Sequence, residues 1–293
     1  MSALGHLRIA AGIHGRDVPQ LRARVPHLTG SFGTVFDLFV MGRTADQRVS
    51  LDDLASQVEH IADGVRARCS ILPLEPQRRT TAFIACDRLD AQGIETVCWP
   101  DDSSYHLARA IPPGRRTTWL DLGCGSAVAQ ILRPQLADVL IASDLNPRAL
   151  EYARLGAALS GIHHLQTLTG DLESVHADLI TCNAPIPGSA GPLWTATDAR
   201  FMTRLFGVAD RALAADGMIV VHAALDAIPT SLGGECVVVA YTPPGTAREF
   251  AVVWWRPDGE ARQIRARRAL DLARPHLDHT DREAALAGTL SPL

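Results

Sequence analysis

The stretch Asp121-Leu122-Gly123-Cys124-Gly125-Ser126 has the residue types and spacing of a ligand-binding turn. Glycines two apart let the backbone leave a strand, come close to a ligand and open a helix. A dinucleotide site opens in the same way, but it needs a third glycine where this chain has Val128. Asp121, two residues before the first glycine, points instead to a ligand carrying an amino group. A second acid, Asp144, closes the next strand, where a carboxylate can accept both hydroxyl protons of a ribose. Gly170-Asp171-Leu172 follows a third strand, where an acid can accept from an exocyclic amine. Asn183-Ala184-Pro185-Ile186 follows a fourth strand, and an asparagine there can hold a planar nitrogen group in a fixed orientation.

Taken together, Asp121 to Ser126, Ser143-Asp144-Leu145-Asn146-Pro147-Arg148-Ala149-Leu150, and Gly170-Asp171 resemble motifs I, II and III of class I S-adenosylmethionine-dependent methyltransferases. The likeness covers roughly residues 98–256. The run Asp144 to Leu159 is most similar to the branch of HemK-type protein-glutamine methyltransferases and small-domain RNA methyltransferases. That branch carries Asn-Pro-Pro-Tyr where this chain has Asn183 to Ile186. The resemblance implies S-adenosylmethionine as cofactor, held by Asp121, Gly123, Cys124, Gly125, Asp144, Leu145, Asn146, Asp171, Leu172 and Asn183. It implies a catalytic turn of Asn183 and Pro185, with Asn183 and the carbonyl of residue 184 holding a nitrogen near the methyl group.

Two departures matter. Ala184 replaces a proline, which is a mild change. Ile186 replaces an aromatic whose stacking on a base contributes on the order of 1–3 kcal/mol. The reading that follows is N-methylation of a small molecule or peptide, with nucleic acid disfavoured as a partner. A HemK-like protein-glutamine or rRNA amino-methyltransferase is the first alternative. A cofactor-binding, non-catalytic scaffold is the second, and a dehydrogenase is last because of Val128. Ser104, Tyr105, Ala184, Ile186 and Trp194 are expected around the acceptor, with Ser103 and His106 beside them. The letters from Asp101 onward are equally those of a capped helix. His222, ending a later strand, is either a general base or a hydrogen-bonded histidine at the core's edge.

These residues need a scaffold. From Thr117 onward the pattern repeats strand, turn, helix, strand, which predicts an α/β, Rossmann-like, doubly wound, mostly parallel sheet. A final strand pair around Pro243-Pro244-Gly245 adds an antiparallel strand. Asn146 and Pro147 mark a helix start, and Gly161 marks its stop. Residues 1–97 read as a small N-terminal α+β accessory unit serving as lid, substrate-recognition or dimerisation module. In it, Ser31 to Met41 is a buried helix. Ser50 with Asp53 predicts a second helix from Leu51 to about Val65, and Cys69 to Leu74 and Thr80 to Cys86 are strands. Such a unit could be winged-helix-like, but the acids on the second helix argue against nucleic acid. Residues 98–256 form the catalytic unit and 257–293 a C-terminal helix and tail, with Arg262, Arg265, Arg267 and Arg268 on a solvated helical face.

Composition sets outer bounds. Lys and Arg total 28 against 32 acidic residues, all 28 are Arg, and the net charge of −4 gives no general pull toward phosphate. Six scattered cysteines without a C-x-x-C pattern imply reduced thiols and no metal. No apolar run nears the roughly 20 residues of a membrane span, so the expected location is cytoplasmic.

Overall fold

The computed structural model describes residues 2–9, 30–46, 51, 53–77, 80–169, 175–188, 195–196 and 200–293. In chain order, the first part holds helices α1 (Ala3–Ile9) and α2 (Gly30–Phe39) and strands β1 (Thr44–Ala45), β2 (Val58–Ile61), β3 (Gly64–Ala67), β4 (Ser70–Gln77) and β5 (Thr80–Cys86). The buried helix expected at Ser31 is α2, which packs Val35, Phe36, Leu38 and Phe39 into the core.

The helix expected from Leu51 to Val65 is not there. A single 3-10 turn, Ala55–Gln57, leads into the β2–β3 hairpin. Leu51 and Leu54 are buried, but Ala55 is exposed, so the apparent helical stripe is a coincidence of spacing. Asp63-Gly64 is the local signal that prevails. A Cβ on Gly64 would sit 2.2 Å from the Ala45 carbonyl oxygen of β1, so only glycine permits this strand contact. Ser50 lies outside the described residues, and Asp53 caps a different helix: its carboxylate accepts from Ala3 N at 3.0 Å and Leu4 N at 3.1 Å. The winged-helix arrangement goes with the missing helix.

The second part carries α3 (Asp102–Ala110), β6 (Arg116–Leu122), α4 (Val128–Leu132), β7 (Ala137–Ser143), α5 (Pro147–Leu159), β8 (Leu165–Leu168), β9 (Ala177–Asn183), β10 (Ile186–Pro187), β11 (Thr195–Ala196), α6 (Phe201–Ala212), β12 (Leu213–Ala224), β13 (Glu235–Tyr241), β14 (Phe250–Arg256), β15 (Arg262–Arg267), α7 (His279–Leu286) and β16 (Ser291–Pro292). One nine-stranded sheet runs in the order β16-β15-β13-β14-β12-β9-β6-β7-β8. From β12 to β8 every pairing is parallel, and β14 lies antiparallel between β12 and β13. This is the α/β architecture the alternating pattern predicts. The sheet does not stop at the hairpin, however. Of the arginines read as a solvated helical face, Arg262, Arg265 and Arg267 lie on strand β15, parallel to β13, while Arg268 just beyond it is buried against Asp281; β16 pairs beyond β15.

Alternate residues along each strand enter opposite cores. Trp119, Leu179 and Val220 face one layer, while Leu120, Ile180 and Val221 face the other, with α6 packed on it. The first layer also takes in α2 and the β4–β5 hairpin, so N-terminal and central residues share one continuous core. Gly156 makes that join possible: its bare Cα lets α5 approach β5, where a Cβ would meet Phe83 O and Ile131 Cδ1 at 2.9 Å. Among the described residues, no helix is long and apolar enough to cross a membrane.

Candidate active site at the strand switch point

The chain places β6, β7 and β8 outward in one direction and then returns to set β9 on the other side of β6. In open α/β sheets, ligands bind where the strand order reverses, outside the carboxyl ends of the strands. Asp121 and Thr181 are register partners across this line, and Asn183 follows at the tip of β9.

On the β6 side the site is mostly backbone. Gly123 and Gly125 adopt φ of 64° and 50°, and a Cβ on either would meet no atom within 4 Å, so the space above the turn is open to a ligand. Ala127 has φ 52° as well, an unusual conformation for a residue with a side chain, and begins the turn into α4. The turn is tied to β7 by Cys124 N donating to Ser143 O at 2.9 Å. The Asp144 carboxylate accepts from Gly125 N through one oxygen and from Asn146 N through the other, both at 2.8 Å. Its remaining lone pairs suit a ribose diol. Asn146 caps α5 by accepting from Arg148 N at 3.1 Å, and its amide donates to Glu95 O at 2.7 Å. Leu145 is 83% exposed, an apolar side chain offered beside the acid.

Asp121 is buried rather than open. Trp119 Nε1 donates to Thr181 Oγ1 at 2.8 Å, and Thr181 donates to Asp121 Oδ1 at 2.6 Å. Burial pushes the Asp121 carboxyl up to about 7; the Thr181 bond lowers it and the nearby Asp144 charge raises it. An approaching cation would favour its ionised form. Cys124 and Cys182 are buried free thiols, both pushed up by burial, and play the part of small apolar side chains.

The β9 side is built from side chains. Asn183 Nδ2 donates to Ser103 Oγ at 2.7 Å, and Asn183 Oδ1 lies 3.0 Å from His222 Nδ1. His222 Nε2 lies 2.8 Å from the Tyr241 hydroxyl. Both ring nitrogens are therefore engaged, and burial pushes the imidazole down to about 3. The general-base role for His222 falls away: it is a neutral, hydrogen-bonded core histidine touching Asn183. Ala184 N donates to His222 O at 2.8 Å, which extends the β9–β12 ladder and fixes the turn. Pro185 and Ile186 are half-buried beyond it.

Ser104 is half-buried on α3, and Tyr105 is turned inward against His276, ring centroids 5.5 Å apart. Asp101 caps α3 through Ser103 N and Ser104 N, as the capped-helix reading expects, and the Ser103 hydroxyl meets Asn183. Asp171, Leu172 and Trp194 lie outside the described residues. Tyr241, which the sequence did not single out, joins the site through β13 and β14. No local pattern marks it.

A cavity of about 660 Å³ lies elsewhere, between β3 and α5, lined by Arg66, Arg68, Arg88, Arg148, Glu59 and Asp87 among others. Its charges are largely paired with one another: Arg66 with Glu59, and Arg148 with the buried Asp87, which also accepts from Tyr152 and Val97 N.

Residues 93–236 match the family model described as the methyltransferase small domain. The chain is a methyltransferase, and its cofactor is S-adenosylmethionine. No curated protein matches the sequence significantly. Similar solved structures include the ribosomal protein L11 methylase of Lactobacillus delbrueckii subsp. bulgaricus, at 18% identity, covering 53% of this chain and 76% of that one with a TM-score of 0.37. A precorrin-6y C5,15-methyltransferase of Geobacter metallireducens is 17% identical, over 57% of this chain and 93% of that one, TM-score 0.39. An rRNA methylase of Streptococcus thermophilus is 15% identical, over 53% and 94%, TM-score 0.38.

Proposed function

We propose that this chain transfers a methyl group to a nitrogen of a small molecule or peptide, with Asn183 and the Ala184 carbonyl holding that nitrogen. The observation behind this reading is the amide of Asn183, held on both ends at the tip of β9 beside the glycine turn. S-adenosylmethionine supplies a methyl on a sulfonium, already an activated leaving group, so the protein's task is aim and exclusion of water. Asp144 and Leu145 hold the nucleoside end, Asp121 faces the amino-acid end, and Asp171 and Leu172 belong to the same cofactor set. Asn183 accepts from the acceptor's N–H and turns its lone pair toward the methyl group. Ser104, Ala184, Ile186 and Trp194 are assigned to the acceptor, and residues 1–97 to an accessory unit whose strand β5 packs on α5.

Methyl-labelled S-adenosylmethionine offered with amines, amides, alcohols, glutamine peptides and rRNA fragments tests this. We expect transfer to amines or amides and a loss of about 100-fold in Asn183→Ala, because misaligned reactants forfeit that much. Unchanged transfer in Asn183→Ala removes the nitrogen-holding role. Transfer confined to glutamine peptides or rRNA would select the HemK-like alternative, and cofactor binding without any transfer would select the scaffold.

A further inference from the structure

Asp101, Ser103, Asn183, His222 and Tyr241 form an unbroken run of hydrogen bonds whose direction follows from donor chemistry. The Asp101 carboxylate oxygen that caps α3 accepts Ser103 N and Ser104 N, and it also takes the Ser103 hydroxyl proton. A serine has one hydroxyl proton, so Ser103 Oγ meets Asn183 as an acceptor. The atom of Asn183 at Ser103 is then the amide nitrogen, and the one at His222 is Oδ1. Oδ1 only accepts, so His222 Nδ1 carries the ring proton. Nε2 is then bare and accepts from the Tyr241 hydroxyl.

We infer that Ser103, His222 and Tyr241 are positioning residues that lock Asn183 in one of its two amide orientations, with Asp101 setting the direction of the whole run. Asn183 is left with one Oδ1 lone pair and one Nδ2 proton not used by this run. That arrangement is aimed at an acceptor N–H, and here the inference rests on the reading of Asn183 given above. The flipped amide would set donor against donor at His222 or leave Ser103 without its bond. The ring itself cannot swing to compensate. His222 stacks on Phe250 at 5.6 Å and 9° and on His106 at 5.8 Å and 14°.

His106 provides an internal reference. Leu277 N donates to His106 Nδ1 at 2.8 Å, so His106 carries its proton on Nε2. Two stacked imidazoles in one core therefore have opposite tautomers.

Long-range proton–nitrogen correlation spectra of the full chain, labelled with ¹⁵N-histidine and saturated with S-adenosylhomocysteine, test this directly. His222 should show the Nδ1–H pattern and His106 the Nε2–H pattern, each favoured by about tenfold or more. Ser103→Ala should turn His222 into a tautomer mixture, and Ser103→Thr, which keeps the hydroxyl, should restore it. In Tyr241→Phe the Nδ1–H form should persist, since Asn183 still demands a donor. An Nε2–H pattern at His222 in the natural chain overturns the inference, as does an unchanged spectrum in Ser103→Ala. These readouts need no acceptor. A correct tautomer pattern in a chain that methylates no nitrogen supports the lock and removes only the acceptor reading.

Discussion

Gly125 reaches the Asp144 carboxylate across 19 residues and Asn146 reaches it across 2, whereas Asn183 is held by Ser103, 80 residues before it, and by His222, 39 residues after it. The glycine-turn side is thus tied together locally, by backbone amides meeting Asp144. The Asn183 side is assembled from distant segments, mainly through side chains. A ligand common to many enzymes can be met by a turn built from neighbouring backbone amides. A ligand that distinguishes one enzyme from another is met where side chains from distant segments converge.

The difference is open to experiment, the largest effect first. Asp144→Ala removes a carboxylate holding two backbone amides, each worth roughly 1.5–3 kcal/mol to a charged acceptor, so S-adenosylhomocysteine affinity measured by calorimetry should fall about 100-fold or more. A small change would mean that the turn holds the ligand unaided. Asp121 supplies a pH test. Its raised pKa means that the folded chain keeps a proton the unfolded chain releases between the usual 3.8 and about 7. Stability contributed by this group therefore falls as pH rises through that window and levels off above it. Binding a ligand ammonium favours the ionised form, so affinity should rise about tenfold between about pH 6 and 8, and Asp121→Asn should flatten that rise.

On the acceptor side, Tyr241→Phe should reduce methyl transfer about fivefold, the worth of one hydrogen bond near 1 kcal/mol, while leaving S-adenosylhomocysteine affinity unchanged. Equal losses in both would erase the division between the two sides. Gly156→Ala should leave the site untouched yet cost about 1–3 kcal/mol in urea unfolding, because the added methyl meets Phe83 O and Ile131 Cδ1.

The same division explains what the sequence disclosed. The Asp121-to-Ser126 turn, the strand ending in Asp144, the Asn146-Pro147 start of α5 and the strand before Asn183 all rest on neighbours within a few residues. Each was legible in the sequence. Leu51 to Val65 was misread because five apolar residues fell at helical spacing while Asp63-Gly64 dictated a hairpin. The arginines from Arg262 to Arg267 carry no apolar alternation that would mark a strand. They enter the sheet because β13 offers a free edge, which is a tertiary fact. Ser103 and His222 stood out singly, but Tyr241 left no trace, and nothing local records that Ser103, His222 and Tyr241 will meet at Asn183.

The bond from Leu277 to His106 joins residues 171 apart. Behind it, the buried Arg268–Asp281 pair, with Arg268 also donating to the carbonyls of Arg274 and His276, holds the segment that carries Leu277. Part of the backing of α3 therefore comes from a segment far along the chain, in addition to β9, β12 and α4. The glycine turn, by contrast, is complete more than a hundred residues before Leu277 and draws its bonds from close neighbours.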